Sequence, residues 1–169
     1  MEETELYFAF GSNLSAIKMR ERGTRFICHE SAVLRGFRVV FSIWKDDGFG
    51  YANIIPDKES TVYGALYICL KGSLAKLDEH EAGRLRRVNV QVERKSGEIV
   101  DATAYQAYEK YIVSLRYSMI QITTHRYKAA GRRLINESTQ KAKRLAADQN
   151  TLTSYLMYEY FMQATTAWH

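Results

Sequence analysis

Residues 6–14 have the sequence Leu-Tyr-Phe-Ala-Phe-Gly-Ser-Asn-Leu, an apolar and largely aromatic run that stops at a polar turn. The first five residues are typical of a buried β-strand, and Gly11-Ser12-Asn13 has the composition of a tight turn. A helix is predicted from Leu14 to Arg22, with Asn13 as its N-cap and Gly23 just past its end. The stretch therefore predicts a strand that leads through a short polar loop into a helix.

The loop Gly11-Ser12-Asn13 has the features of a small site for an anion or a carbonyl oxygen. Glycine lets the backbone approach a ligand closely, and the start of the following helix offers free N–H groups at the positive end of its dipole. Such groups bind a carboxylate or a carbonyl oxygen. The alternative is an ordinary turn without a ligand, and the three residues by themselves favour that alternative.

The middle of the chain is predicted to be mainly β-structure. β-Branched and aromatic residues are frequent there, and Val88, Val90 and Val92 alternate with polar residues as in a half-buried strand. Pro56 is expected to end one strand, with a turn at residues 57–60 behind it. The predicted strands cover residues 25–31, 37–43, 51–55, 61–70, 88–93 and 99–108, the last two joined by a hairpin turn at Ser96-Gly97.

Glu81 is the side chain with the strongest chemical signal. A short helix is predicted over residues 74–82, and on it Leu74, Leu77 and Glu81 share one face. A carboxyl group on an inward face is costly unless it is paired or neutral, and burial raises its pKa toward the range where it exchanges protons near neutrality. The alternative is a structural salt bridge to one of the nearby arginines, Arg84, Arg86 or Arg87.

Length and composition indicate an ordinary folded domain. The chain has 169 residues, of which 46% are hydrophobic and 25% charged, so a real core is expected. The net charge of +5 is compatible equally with an anionic small substrate and with weak, non-specific contact with nucleic acid. Zinc-finger spacing and long basic runs are absent from the sequence, so nucleic-acid binding is not expected. Cys28 and Cys69 are isolated from each other, which predicts neither a disulfide framework nor a metal site.

The start of the chain carries no targeting signal. Residues 1–5 are acidic and lack the basic and apolar regions of a signal peptide. No apolar run in the sequence approaches the length of a membrane span. The expected compartment is the cytoplasm, without a membrane partner.

The last part of the chain is predicted to be helical, with helices near residues 125–134, 138–147 and 151–168. One face of the final helix combines apolar and aromatic residues, and it packs either on the core or on a second subunit, which would make a homodimer. The face consists of Met157, Tyr160, Phe161, Ala164 and Trp168. The expected division is one domain over residues 1–135 and a helical C-terminal extension over residues 136–169.

Five segments, in this order, resemble the γ-glutamylcyclotransferase-like family over about residues 6–135. The opening strand and loop correspond to Tyr-Phe-Ala-Phe-Gly-Ser-Asn-Leu at residues 7–14. The family's central hairpin resembles Ala-Asn-Ile-Ile-Pro-Asp at residues 52–57 and Val-Tyr-Gly-Ala-Leu-Tyr at residues 62–67. Leu-Asp-Glu-His-Glu-Ala at residues 77–82 is similar to the helix that ends in the catalytic glutamate, and residues 125–127 to a stretch with a pocket tyrosine.

The resemblance implies both a fold and a reaction. The fold would be α+β, a small and strongly bent mixed β-barrel surrounded by short helices, with loop and glutamate meeting at one mouth. The enzyme, of transferase or lyase type, would convert a γ-glutamyl amide into 5-oxoproline and a free amine, with Glu81 as catalytic acid and base. Neither a metal nor another cofactor would be required. The implied substrate-binding residues are Phe10, Gly11, Ser12, Asn13, Leu14 and Tyr127.

Two departures from the family pattern support other functions. Phe10 and Leu85 stand where the family usually has tyrosine, so two hydroxyl groups are missing. Their loss suits a non-catalytic relative that binds a small metabolite in the same pocket. A second alternative is an interaction module whose working surface is the aromatic face of residues 157–168, if that face is exposed.

Overall fold

The computed structural model describes residues 2–43, 51–81 and 83–109. Tyr127, the three predicted C-terminal helices and the predicted extension over residues 136–169 lie outside the described residues. In the described part, no helix is long and apolar enough to cross a membrane.

The described strands form a closed, five-stranded barrel with short helices on its outside, as expected for the fold class. In spatial order the strands are β1-β3-β2-β4-β5. The barrel is mixed, because β1 runs parallel to β5 while the other neighbours are antiparallel. In chain order the elements are β1 (Thr4–Ala9), a 3₁₀ turn (Ser12–Leu14), α1 (Ala16–Glu21), β2 (Phe26–Ile43), β3 (Tyr51–Leu70), α2 (Ala75–Glu81), β4 (Leu85–Arg94) and β5 (Ile99–Ala107).

The strands β2 and β3 are longer than the sequence predicts. The predicted breaks after residue 31 and at Pro56 are wrong, since both strands continue through these positions. Arg35 pairs with Thr61 and Phe37 with Pro56, so residues 57–60 lie opposite the single Gly36. The predicted turn is thus an irregularity within β3. Proline is tolerated there because a bulge does not need its missing N–H group.

The first helix begins later than predicted. Ser15, not Asn13, is the N-cap of α1, and its hydroxyl accepts a hydrogen bond from the Lys18 N–H group at 3.4 Å. The predicted end is confirmed, because Gly23 follows the helix with a φ of 75°, a conformation that suits glycine. Asn13 is consequently free to use its side chain elsewhere.

The alternation of side chains along the strands divides the interior into two clusters. In β1, Phe8 points into the barrel, whereas Tyr7 and Ala9 pack on the opposite face under the helices. The barrel-interior cluster includes Phe8, Phe10, Leu34, Ile54, Val62, Leu66 and Val92. The helix-covered cluster includes Tyr7, Leu14, Met19, Tyr67, Cys69, Leu74, Leu77 and Tyr105.

The hairpin of β4 and β5 follows the predicted pattern and extends it. Leu85 pairs with Ala107 and Glu93 with Ile99, and Gly97 occupies the turn with a φ of 88°. The strand predicted over residues 88–93 therefore begins earlier, at Leu85.

Candidate active site

The helix α2 holds Glu81 against the helix-covered cluster. Leu74 and Leu77 are fully buried, and the Glu81 side chain on the same face is only 15% exposed. Tyr105 holds the helix in place, since its hydroxyl donates its one proton to Oδ1 of Asp78 at 2.7 Å and also lies 3.3 Å from the Leu74 carbonyl oxygen. The inward placement of Glu81 that helical spacing predicts is present in the structure.

Arg22 joins Glu81 to the loop after β1. Its Nη1 lies 3.5 Å from Oε1 of Glu81 and also donates to Oδ1 of Asn13. Its Nη2 donates to the Ser12 hydroxyl at 3.3 Å. One guanidinium, itself 17% exposed, thus contacts both features that the sequence singles out.

Both ends of the loop are anchored in the core. The Phe10 side chain packs in the barrel-interior cluster and Leu14 in the helix-covered cluster. The Leu14 N–H group donates to the Gly11 carbonyl at 3.0 Å, and the Leu14 carbonyl accepts from the Tyr67 hydroxyl at 3.0 Å. The N–H groups of Ser12 and Asn13 precede this first backbone hydrogen bond of the turn and have no acceptor within the described part of the chain.

The polar side chains of the loop serve the protein itself. Asn13 is buried, donates from Nδ2 to the Tyr7 hydroxyl at 2.8 Å, and accepts from Arg22. Ser12 accepts from the same arginine. A ligand at this loop would therefore meet its backbone, with the side chains keeping that backbone in place.

Burial makes Glu81 a better proton acceptor than a free carboxylate. The withdrawal from water raises the pKa of Glu81 above its ordinary value of 4.5, and the positive charge of Arg22 opposes this rise, followed by His80 and Arg84. The neighbouring Tyr7 is held in its neutral form, because burial above all and the Glu81 charge raise its pKa. The environment thus brings Glu81 closer to the proton affinity that general acid–base chemistry requires.

The ion pair of Glu81 in the structure is with Arg22, which the sequence did not suggest; of the suggested arginines, Arg84 still acts on the pKa of Glu81 through its charge. Arg87 pairs with Asp78 at 2.7 Å, and Arg86 lies over the Tyr108 ring. The contact partner of Glu81 is Arg22, 59 residues away in sequence, which the sequence alone did not single out. The one feature of the sequence that could have indicated Arg22 is its position as a basic residue at the end of a helix, immediately before a glycine, where a cation is favourable.

Two further features of the described part bear on ligands. Within residues 2–43, 51–81 and 83–109, no three His, Cys, Asp or Glu side chains come together as a metal site would require. An open surface depression is lined by Arg20, Gly23, Thr24, Arg25 and Phe26. It shares no residue with the loop or with α2.

Comparison with known proteins gives one family match. The sequence model of a family described as "Gamma-glutamyl cyclotransferase, AIG2-like" matches residues 7–129. This range includes the loop, Arg22 and Glu81. No curated protein matches the chain in sequence.

Several solved structures are similar to the barrel. One described as a gamma-glutamyl cyclotransferase is 27% identical, with 63% of this chain and 68% of that chain covered and a TM-score of 0.56. An uncharacterized human protein is 28% identical, with coverages of 64% and 69% and a TM-score of 0.52. An AIG2-like mouse protein, 20% identical with coverages of 69% and 87% and a TM-score of 0.51, shares the fold.

Proposed function

This chain belongs to the gamma-glutamyl cyclotransferase, AIG2-like family, and we propose that it converts a γ-glutamyl amide into 5-oxoproline and a free amine. The observation that carries the proposal is the link, through Arg22, between a largely buried carboxyl group and the loop after β1. Glu81 is 15% exposed, and Arg22 ties it to Ser12 and Asn13. A proton-transfer group and a cradle of backbone N–H groups therefore stand side by side.

In the first step the substrate closes on itself and Glu81 takes up a proton. The neutral α-amine of the γ-glutamyl group attacks its own γ-carbonyl carbon, and a bond forms between nitrogen and carbon. Glu81 accepts the proton that the attacking nitrogen loses. Because the nucleophile belongs to the substrate, the protein mainly has to hold the chain in the conformation for ring closure.

The backbone of the loop stabilises the tetrahedral intermediate. The N–H groups of Ser12 and Asn13 donate to the oxyanion that develops on the γ-carbonyl oxygen. One well-placed donor of this kind contributes about 3 kcal/mol. Glu81 then gives its proton to the leaving nitrogen, the carbon–nitrogen bond of the amide breaks, and 5-oxoproline and the amine depart. The steps need no metal or organic cofactor.

The test is the variant Glu81→Gln, assayed with a panel of γ-glutamyl amides for 5-oxoproline. Glutamine is nearly the same size but neither accepts nor gives the proton, so turnover should fall by a factor on the order of 10² to 10⁴. Folding and substrate binding should remain close to those of the wild type. Glu79→Gln is the matched control on the exposed face of α2, where Glu79 pairs with Lys76.

Two results would contradict the proposal. Release of 5-oxoproline by Glu81→Gln at the wild-type rate would remove Glu81 from the chemistry. A wild-type protein that binds γ-glutamyl compounds without releasing 5-oxoproline from any panel member would be the non-catalytic relative.

A further inference from the structure

The guanidinium of Arg22 has more N–H groups than partners within the described part of the chain. A guanidinium carries five N–H groups in one plane. Nη1 serves Asn13 and Glu81, and Nη2 serves Ser12. These contacts engage three N–H groups, and within the described part of the chain the Nε group and the second N–H of Nη2 have no assigned acceptor.

Nε and Nη2 are the groups of Arg22 to which a carboxylate would bind. Nε and Nη2 share one edge of the guanidinium, and such an edge binds both oxygens of a carboxylate through two parallel hydrogen bonds. The acceptors of the other three groups hold the plane in place from the loop and from α2. The arginine is therefore oriented before a ligand arrives, which favours affinity.

Arg22 and Glu81 lie close enough together to contact the two charged groups of one α-amino acid. In such a head group the amine nitrogen and the carboxylate carbon are attached to the same Cα, about 2.5 Å apart. The Arg22 nitrogen and the Glu81 oxygen are 3.5 Å apart. A substrate whose amine reaches the Glu81 carboxylate consequently brings its own α-carboxylate to the neighbouring arginine.

We infer that Arg22 binds the α-carboxylate of the γ-glutamyl group, so that Arg22 and Glu81 together recognise the amino-acid head of the substrate. This inference rests on the proposed function and adds its specificity for a free α-carboxylate. Arg22 contributes binding and orientation, whereas Glu81 moves the proton.

A consequence for catalysis follows from the charges. Arg22 stabilises the Glu81 anion, which opposes the effect of burial on the pKa of Glu81. A carboxylate that arrives on Arg22 competes for the same positive charge. Glu81 therefore gains proton affinity when the substrate is in place, at the moment when it has to deprotonate the amine.

Binding measurements test the inference without turnover. Calorimetry compares 5-oxoproline with 2-pyrrolidinone, which has the same ring but lacks the carboxylate. The wild type should bind 5-oxoproline 10- to 100-fold more tightly than 2-pyrrolidinone, the range for a hydrogen-bonded charge pair. Arg22→Met should lose this preference and Arg22→Lys should keep part of it. Arg20→Met, on the same helix with its guanidinium over the Phe26 ring, should keep all of it.

A turnover measurement separates this inference from the proposed function. A γ-glutamyl amide and its α-carboxamide analogue are assayed with the wild type and with the folded Arg22 variants. Wild-type release of 5-oxoproline, together with an unchanged preference for the free acid in Arg22→Met, would overturn the inference and leave the function standing. Equal affinity of the wild type for the two rings, or no binding of either, overturns it as well. If Arg22→Met does not fold, full retention of the preference in Arg22→Lys, which lacks the planar fork, is the contradicting result.

Discussion

Gly64→Ala is expected to damage both stability and turnover, because β1 leaves no room for a side chain at this position. A Cβ atom on Gly64 would lie 2.4 Å from the Ala9 carbonyl oxygen and 2.4 Å from Cζ of Phe8. Non-bonded carbon atoms are comfortable at about 3.5 Å, so relief of either contact needs a shift of about 1 Å. Ala9 cannot retreat alone, since the β1–β3 ladder holds it opposite Ala65.

The expected loss in the free energy of unfolding is about 3 kcal/mol, the upper end of the usual range for overpacking. The upper end applies because the new methyl group meets two groups at once, a backbone carbonyl and a ring that is fully buried in the barrel. The loss of turnover has a second cause. β1 carries the loop Gly11–Leu14 at its end, and a misplacement of about 1 Å near reacting groups lowers a rate by about 100-fold.

Urea denaturation followed by circular dichroism measures the first effect, and 5-oxoproline release well below the melting temperature measures the second. Gly64→Ala combined with Phe8→Leu is the informative control, because leucine lacks Cζ and Cε2 and leaves only the carbonyl contact. In a double-mutant cycle, this pair should show a favourable coupling of about 1 kcal/mol. An unfolding free energy of Gly64→Ala within about 0.5 kcal/mol of the wild type, or a coupling near zero, would refute the steric reasoning.

Two further predictions concern titration and thiol chemistry. Because burial raises the pKa of Glu81 above 4.5 in the folded protein, ionisation of Glu81 disfavours the folded state. The free energy of unfolding of the wild type should therefore fall relative to that of Glu81→Gln as the pH rises from 4.5 through the higher pKa of the folded state. Below pH 4.5 the difference between the two proteins should be constant. Urea denaturation midpoints of both proteins, measured across this pH range, test the expected divergence. Midpoints that change with pH in parallel for the two proteins would contradict it. A thiol reagent should label the exposed Cys28 in the native protein, whereas Cys69, fully buried with its pKa raised to about 12, should react only after unfolding. Mass spectrometry of the labelled peptides measures the two labelling rates. Equal rates for Cys28 and Cys69 in the native protein would contradict the prediction.

Local patterns predicted those parts of the fold that depend on local physics. Val90 and Val92 alternate with polar neighbours, and β4 follows that alternation. Gly23 ends α1 because the left-handed backbone after a helix favours glycine. Leu74 and Leu77 face the core, as their spacing requires. In each case the deciding interaction lies within a few residues of the chain.

Features that depend on distant partners were beyond the reach of local patterns. Pro56 reads as the end of a strand, yet the bulge opposite Gly36 removes the need for its N–H group. Asn13 reads as an N-cap, yet its side chain bonds Tyr7 and Arg22. The ion pair of Arg22 with Glu81 spans 59 residues, so only the closed barrel brings the two together.

The tertiary contacts change the meaning of the loop more than that of the glutamate. Ser12 and Asn13 hold Arg22 with their side chains, so their roles in the structure are not limited to the turn itself. Arg22 then balances two requirements, because its charge keeps a buried carboxylate tolerable while burial keeps that carboxylate basic. Loss of either side chain of the loop should therefore act through the position of Arg22 and, by that route, on the proton affinity of Glu81. Under the proposed function, the loop would thus influence proton transfer as well as substrate binding.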